Sequence, residues 1–166
     1  MKKRQAFQAA ERSTEFFRKF HGPAAGAAKT EDEIYYEART LRGQVNIFLE
    51  KKHLTLQSVA DRSEIDCDNL KRYLSEKRKP RREQVIRIAM ALLLDKEEAN
   101  RLLDAAGYAD LKPIRRDDGI ILAHYDTIVD FFKRNDNTFA HNPAIEDLNT
   151  DLIEEGEEPL FGGQYE

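Results

Sequence analysis

Between Arg82 and Leu94 the chain places Val85, Ile86, Ile88, Ala89, Ala91, Leu92, Leu93 and Leu94. Wound as a helix over 82–94, this stretch is apolar on all sides, so no arrangement with one face in water suits it. It has to be the buried centre of a helical bundle. A bilayer does not substitute for the bundle, because the longest uninterrupted apolar run, Ile88 to Leu94, has seven residues, against the roughly 20 of a membrane-spanning helix. The enclosing helices must come from the rest of the chain, whose 166 residues allow one domain plus an extension.

The pattern supplies them. Residues 4–20 set Phe7, Ala10, Phe16, Phe17 and Phe20 at helical offsets, and Gly22-Pro23 with Gly26 then makes a linker, so 1–30 reads as an N-terminal helix and linker. Thr30 and Glu33 form a capping box, and Ile34, Ala38, Leu41, Val45, Phe48 and Leu49 keep one apolar face, which predicts a helix over 31–53. Thr55 caps a short helix over 56–62 with Leu56, Val59 and Ala60 inward. After Ser63-Glu64-Ile65, Asp66 caps a second short helix that reaches 76, with Leu70, Tyr73 and Leu74 inward. Asp95 and Glu98 form another capping box, ahead of Ala99, Leu102, Leu103 and Ala106, and Gly107 closes that helix. Residues 31–111 thus hold five helices.

A further helix follows in the extension, carrying Ile120, Ile121, Tyr125, Ile128, Val129, Phe131 and Phe132. After a loop from Asn135 to Asn142, Pro143 and Gly156 bracket another with Ile145, Leu148 and Leu152 inward. Residues 157–166 form a tail that docks by Leu160 and Phe161, which makes 112–166 an acidic helical extension and tail. No strand pattern and no repeat interrupts this reading, and the fold class is all-α.

Charge is distributed unevenly. Residues 1–40 carry 8 basic and 6 acidic side chains, 41–82 carry 11 and 6, 83–116 carry 6 and 6, and 117–166 carry 2 and 13. A basic middle points to an anionic partner, and the acidic end to a solvating, regulatory or charge-mimicking part. Cys67 has no second cysteine to pair with, and the basic N-terminus is not followed by an apolar signal segment, so the expected location is cytoplasmic, with no membrane partner.

Enzyme chemistry finds no constellation. His21, His53, His124 and His141 are scattered, without HExxH, P-loop or GxSxG spacing. Asp126, Asp130 and Asp136 with Asn135 and Asn137 do not follow EF-hand spacing. The pairs Asp117-Asp118 and Asp147 with Asp151 read as helix starts and solvated faces. No catalytic residue, metal ligand or cofactor is expected.

The informative unit is Leu54–Pro80. A short helix, a tight turn plugged by Ile65 and a second short helix make a helix-turn-helix, with the small Ala60 allowing close crossing. The segment from about Leu41 to Gly107 resembles the XRE family, also called lambda-repressor-like, a five-helix bundle. The family's apolar-Ala pair corresponds to Val59-Ala60, its turn end and cap to Ile65-Asp66, and its basic run to Glu76-Lys77-Arg78-Lys79-Pro80. The start of the extension at Arg116-Asp117 and the stretch 151–160 are similar to C-terminal extensions of some bacterial members. Three positions depart from the family pattern: Glu64 and Glu76 stand where it has glycine, and Leu56 where it has glutamine.

This resemblance implies a transcriptional regulator that reads the major groove of duplex DNA with the helix over 66–76, as a homodimer because one short helix covers one half-site. Beside the cap Asp66, the base-contacting residues it implies are Cys67, Asp68, Asn69, Lys71 and Arg72. Asn69 suits adenine, Arg72 guanine and a carboxylate the cytosine amino group. Phosphate contacts fall on Thr55, Gln57, Lys77, Arg78, Lys79 and Arg81. The alternative is a protein-interaction module, antitoxin-like or binding a protein partner through 113–161, whose acidic tail masks the basic surface or mimics DNA.

Overall fold

The computed structural model describes residues 30, 38–135 and 141–162; the expected helix over 4–20 and its linker lie outside them, as do residues 31–37. Among the described residues there are seven helices and no strand: α1 (Leu41–Lys51), α2 (Leu56–Ser63), α3 (Cys67–Leu74), α4 (Arg82–Ala91), α5 (Lys96–Ala105), α6 (Arg116–Asn135) and α7 (Pro143–Glu154). None is long and apolar enough to cross a membrane.

As its composition requires, α4 is buried from Gln84 through Ala91. It packs against α2, α5 and α6, while α1 lies on α3 and α5, and α7 lies on α6. A single apolar core runs from Leu41 to Phe161. On α6 the buried residues Ile121, Tyr125, Ile128, Val129 and Phe132 fall at helical offsets along one stripe. On α7 the inward residues are Ala144, Leu148 and Leu152. The tail docks as expected, with Leu160 and Phe161 both buried. The Asn149 side chain clamps it: its carbonyl oxygen accepts from the Leu160 and Phe161 N–H groups at 3.0 and 3.3 Å, and its amide donates to the Phe161 carbonyl at 2.8 Å.

Outside α3, two helix boundaries differ markedly from the sequence reading. A helix start falls at Leu41 inside the stretch read as one helix over 31–53, because the Thr40 hydroxyl accepts the Gly43 N–H at 3.0 Å and its extended backbone ends any preceding turn. At the other end, α4 stops at Ala91 and not at Leu94. Leu92 and Leu94 are both fully buried, and the chain brings both inward by reversing at Leu93, which has a left-handed φ of 58°. The Leu93 N–H bonds to the Met90 carbonyl and the Leu94 N–H to the Ala89 carbonyl, a Schellman closure.

Arginines fix α4 at both ends. At its start, Arg82 makes two hydrogen bonds, at 2.8 and 3.0 Å, to the carboxylate of Asp118, which is fully buried in the first turn of α6. At its last residue, the Ala91 carbonyl accepts from buried Arg62 of α2 at 2.8 Å, and the Arg62 guanidinium lies 6.0 Å from the Phe132 ring near the end of α6. The helices α4 and α6 therefore run side by side in the same direction. A further lock sits between α1 and α5, where buried Glu98 receives Lys51 at 2.7 Å and Lys52 at 3.3 Å. Glu98 and Asp95 also complete the predicted capping box, each carboxylate accepting the other's backbone N–H at 3.0 and 2.8 Å.

Two outcomes test these locks. Replacing Asp118 with Ala leaves the largely enclosed Arg82 without its carboxylate, so stability should fall by about 3 kcal/mol, the lower end of the range for a broken buried pair because Arg82 keeps a solvent-facing edge. A loss under about 1 kcal/mol in urea titration would remove the pair from the framework. For Glu98, burial pushes the carboxyl pKa up, but hydrogen bonds from Lys51, the Asp95 backbone and Lys52 bring it below its ordinary value. The stability it contributes is then complete above the unfolded-state pKa and is lost as pH falls through the lower folded-state pKa. Glu98→Gln should flatten the acid side of the stability profile; an unchanged slope there would show that the carboxylate carries no such linkage.

Candidate nucleic-acid interface

The second short helix owes its position to a compact turn. The Thr55 hydroxyl caps α2 by accepting from the Ser58 N–H at 3.1 Å. At the far end Glu64 takes a left-handed φ of 55°, and the Ile65 N–H returns to the Ala60 carbonyl at 3.2 Å. Ile65 is thereby driven into the core, at 2% exposure. Asp66 then opens α3, its carboxylate accepting from the Asp68 and Asn69 N–H groups at 3.0 and 3.3 Å. Leu70, Tyr73 and Leu74 bury the inner face. The helix read as reaching 76 ends at Leu74, and Glu76 closes it with a φ of 61°.

The backbone thus keeps the left-handed conformation at Glu64 and Glu76, the two positions that depart from glycine in the resemblance. The pair of bonds that closes α4 also closes α1, α2, α3, α5 and α7. The left-handed residue is glycine only at Gly107 and Gly156; at the other ends it is His53, Glu64, Glu76 and Leu93. Glu64 has a second task, because its carboxylate accepts the Gly162 N–H and ties the tail to this turn.

On the outer face of α3, Asp68, Lys71 and Arg72 are exposed, whereas Asn69 is half-buried and Cys67 is half-buried with its thiol side against the core. The loop after α3 presents Lys77, Arg78, Lys79 and Arg81, all exposed. Among the described residues no carboxylate pairs with Lys71, Arg72, Lys77, Arg78 or Lys79, while Arg81 meets Glu83 at 2.9 Å. Thr55 and Gln57 are exposed at the start of α2, with the Gln57 amide donating to Asp61 at 2.8 Å.

Sequence reasoning missed what holds this loop. The Tyr108 hydroxyl donates to the Pro80 carbonyl at 2.6 Å, and the Lys79 ammonium lies 4.8 Å from the centre of the Tyr108 ring. Arg78 similarly approaches the Tyr73 ring at 6.0 Å. Tyr108 follows the closing Gly107, where an apolar contact is common, yet nothing local in the sequence points from it to Pro80.

Other features carry less chemistry. A cleft of about 490 Å³ between the start of α4, the start of α6 and the tail includes Arg81, Arg82 and Arg115, which are already engaged by Glu83, Asp117 and Asp118. No group of three His, Cys, Asp or Glu side chains that could hold a metal ion occurs among the described residues. Burial, with Asp95, Asp126 and Glu98 nearby, holds the Tyr125 phenol well above its ordinary pKa. It stays a neutral core group.

The left-handed closure of α3 has a measurable cost. A non-glycine residue there gives up about 1–2 kcal/mol, part of which glycine returns as chain entropy. Glu76→Gly, at an exposed position, should therefore raise stability by about 0.5–1 kcal/mol in urea titration; a loss of that size would contradict the closure. Comparisons of the chain with protein-family models, with curated proteins and with solved structures found no match to any of them.

Proposed function

We propose that this chain is a sequence-specific, duplex-DNA-binding transcriptional regulator of the XRE, lambda-repressor-like type, with α1–α5 as its five-helix bundle and α3 as the helix that enters the major groove. One observation carries the reading. Lys71, Arg72, Lys77, Arg78 and Lys79 stand exposed and without carboxylate partners on α3 and the loop after it, in a chain whose net charge is −4. Concentrating cations against the overall sign creates a local field that favours a polyanion. Their placement on a short helix and its following loop suits one groove and its flanking phosphates.

Within that reading, Arg72 and Lys71 address base edges, with guanine the natural partner of Arg72, and Asp68 accepts from a cytosine amino group. Asn69 contributes to an adenine contact, and Cys67 to the seat of the helix more than to the bases, given its half-buried position. Lys77, Arg78, Lys79 and Arg81 hold phosphates, and Thr55 and Gln57 add contacts at the start of α2. At eight residues α3 is about 12 Å long, which covers one half-site and favours a homodimer on paired half-sites.

A specific observation favours a second reading. Residues 141–162 hold seven acidic side chains and no Lys or Arg, and Ile153 on α7 is 58% exposed among them. That face suits a basic protein partner. It supports self-masking less well, because the described cations of α3 and its loop make no ion pair with α7. Nor does removing 144–166 isolate an acidic effect, since Leu148, Leu152, Leu160 and Phe161 would leave the core with it.

Salt dependence separates the readings. With six cations on the DNA, the affinity for a labelled duplex should fall with a log–log slope of about −4 to −6. Arg72→Ala should lose discrimination of about 1–3 kcal/mol at one base pair, while Lys79→Ala weakens binding on all sequences alike. Sequencing of genomic fragments captured by wild type and by Lys71→Ala/Arg72→Ala is the direct measurement. Peaks lost in the double variant support the regulator; a flat profile for both moves the assignment to the protein-binding reading.

A further inference from the structure

The segment between α5 and α6 is a fixed turn with an exposed apolar tip. The Leu111 N–H donates to the Asn100 side chain at 3.0 Å, the Lys112 N–H to buried Asp118 at 3.2 Å, and the Gly119 N–H to the Arg115 carbonyl at 2.8 Å. The Arg115 N–H closes the turn on the Lys112 carbonyl at 3.3 Å, with Pro113 as its first central residue. At Gly119 a Cβ would stand 3.2 Å from the Pro113 carbonyl oxygen, so the absence of a side chain there lets the turn sit close on α6. Carried on this frame, Ile114 is 93% exposed, more than Ile153, the other large apolar side chain that stands largely in solvent among the described residues.

The stretch that leads into the turn adjoins the basic loop, and buried Asp118 takes both the Lys112 N–H and Arg82, the residue after that loop. Tyr108 binds Pro80 through its hydroxyl and carries Lys79 over its ring, and the neighbouring Ala109 carbonyl accepts from Arg82 at 3.5 Å. Lys112, exposed and without an ion-pair partner among the described residues, and Arg115, half exposed and shared between Asp117 at 3.2 Å and buried Asp118 at 3.8 Å, flank the isoleucine, so that Lys112 is the freer cation of the two. Arg116 is committed to Glu155 and takes no part. A rigid tip with a cation on each side of one apolar side chain matches the outer edge of a nucleic-acid duplex, which offers phosphates with sugar carbons between them. Because the turn is already ordered, placing it there costs little conformational freedom.

Resting on the DNA-binding reading, we propose that the Lys112–Arg115 turn is a second duplex-DNA contact continuous with the Lys77–Arg81 loop. In it, Lys112 and Arg115 meet backbone phosphates beside the groove that α3 enters, and Ile114 packs on the sugar edge of the adjacent minor groove.

The experiment uses the full chain and a fluorescein-labelled random-sequence duplex of roughly 30 base pairs, titrated over a salt series. Wild type is compared with Lys77→Ala/Lys79→Ala, Lys112→Ala/Arg115→Gln, Lys112→Ala alone and Ile114→Ser. Each double variant should flatten the log–log slope by about 1–2, and Lys112→Ala, which breaks no ion pair, by about 1. Ile114→Ser should weaken binding about three- to tenfold with the slope unchanged. If the basic-loop variant lowers the slope while the turn variants and Ile114→Ser match wild type, the turn is not a DNA contact and the proposal is overturned with the DNA reading intact. A wild type that shows no salt-dependent binding overturns both. Thermal melting of each variant confirms that the comparison is between folded proteins.

Discussion

A helix that is apolar on every side cannot be stable at a surface, and that constraint on α4 organises the rest of the molecule. Its sides are taken by α2, α5 and α6, so α3, joined to α2 by a three-residue turn, is left at the periphery with only one face to bury. The division of labour follows from this placement. Leu70, Tyr73 and Leu74 supply the contact that holds α3 down, and the remaining positions are released from packing. They can carry charge without a desolvation cost, since exposed cations leave no buried group unpaired.

The extension is coupled to the bundle through both ends of the same central helix. Arg82 and Asp118 join the starts of α4 and α6, and Arg62 spans the end of α4 and the ring of Phe132. Asp118 also takes the Lys112 N–H, so one buried carboxylate holds the first turn of α4, the first turn of α6 and the connection between α5 and α6. Ordered contacts of this kind transmit displacement because packed elements have few alternative arrangements. A ligand or partner that moved α6 would bear first on Arg82, the residue directly after the exposed basic loop.

The sequence was most legible where one local pattern served one local need. The Asp95–Glu98 box, the Pro143 start and Gly156 end of α7, the Ile65 plug and the docking of Leu160 and Phe161 all stand in the structure as read. Legibility failed where a distant demand decided the outcome. The three leucines at 92–94 look like a continuing helix, but the burial of Leu92 and Leu94 on a reversing chain ends it and places Leu93 in a glycine-like conformation. The start of α1 was hidden because the apolar stripe continues through Thr40, whose hydroxyl matters more than the stripe. For the candidate site, the exposure of Lys71, Arg72 and the basic loop was foreseeable from helical phase. The half-burial of Cys67 and Asn69, the Tyr108 support and the order of the 112–115 turn were not, since each depends on contacts made well away in sequence.

Five like charges held on α3 and one short loop repel each other, and the fold opposes that repulsion through a small number of contacts. The Tyr73 and Tyr108 rings draw Arg78 and Lys79 onto their faces. Tyr108 also fixes the loop's end through Pro80, and the left-handed Glu76 fixes its beginning. Strain at Glu76 and charge repulsion along the loop both act against the free protein, and an anion laid across the loop would relieve the second without disturbing the first. The same features that lower the stability of the free chain would then favour the bound state, because the backbone is ordered before binding and the repulsion is released by it. On this argument, neutralising Lys77, the loop lysine that rests on no ring, has opposite effects on the two equilibria: the free fold gains stability as the affinity for a polyanion falls.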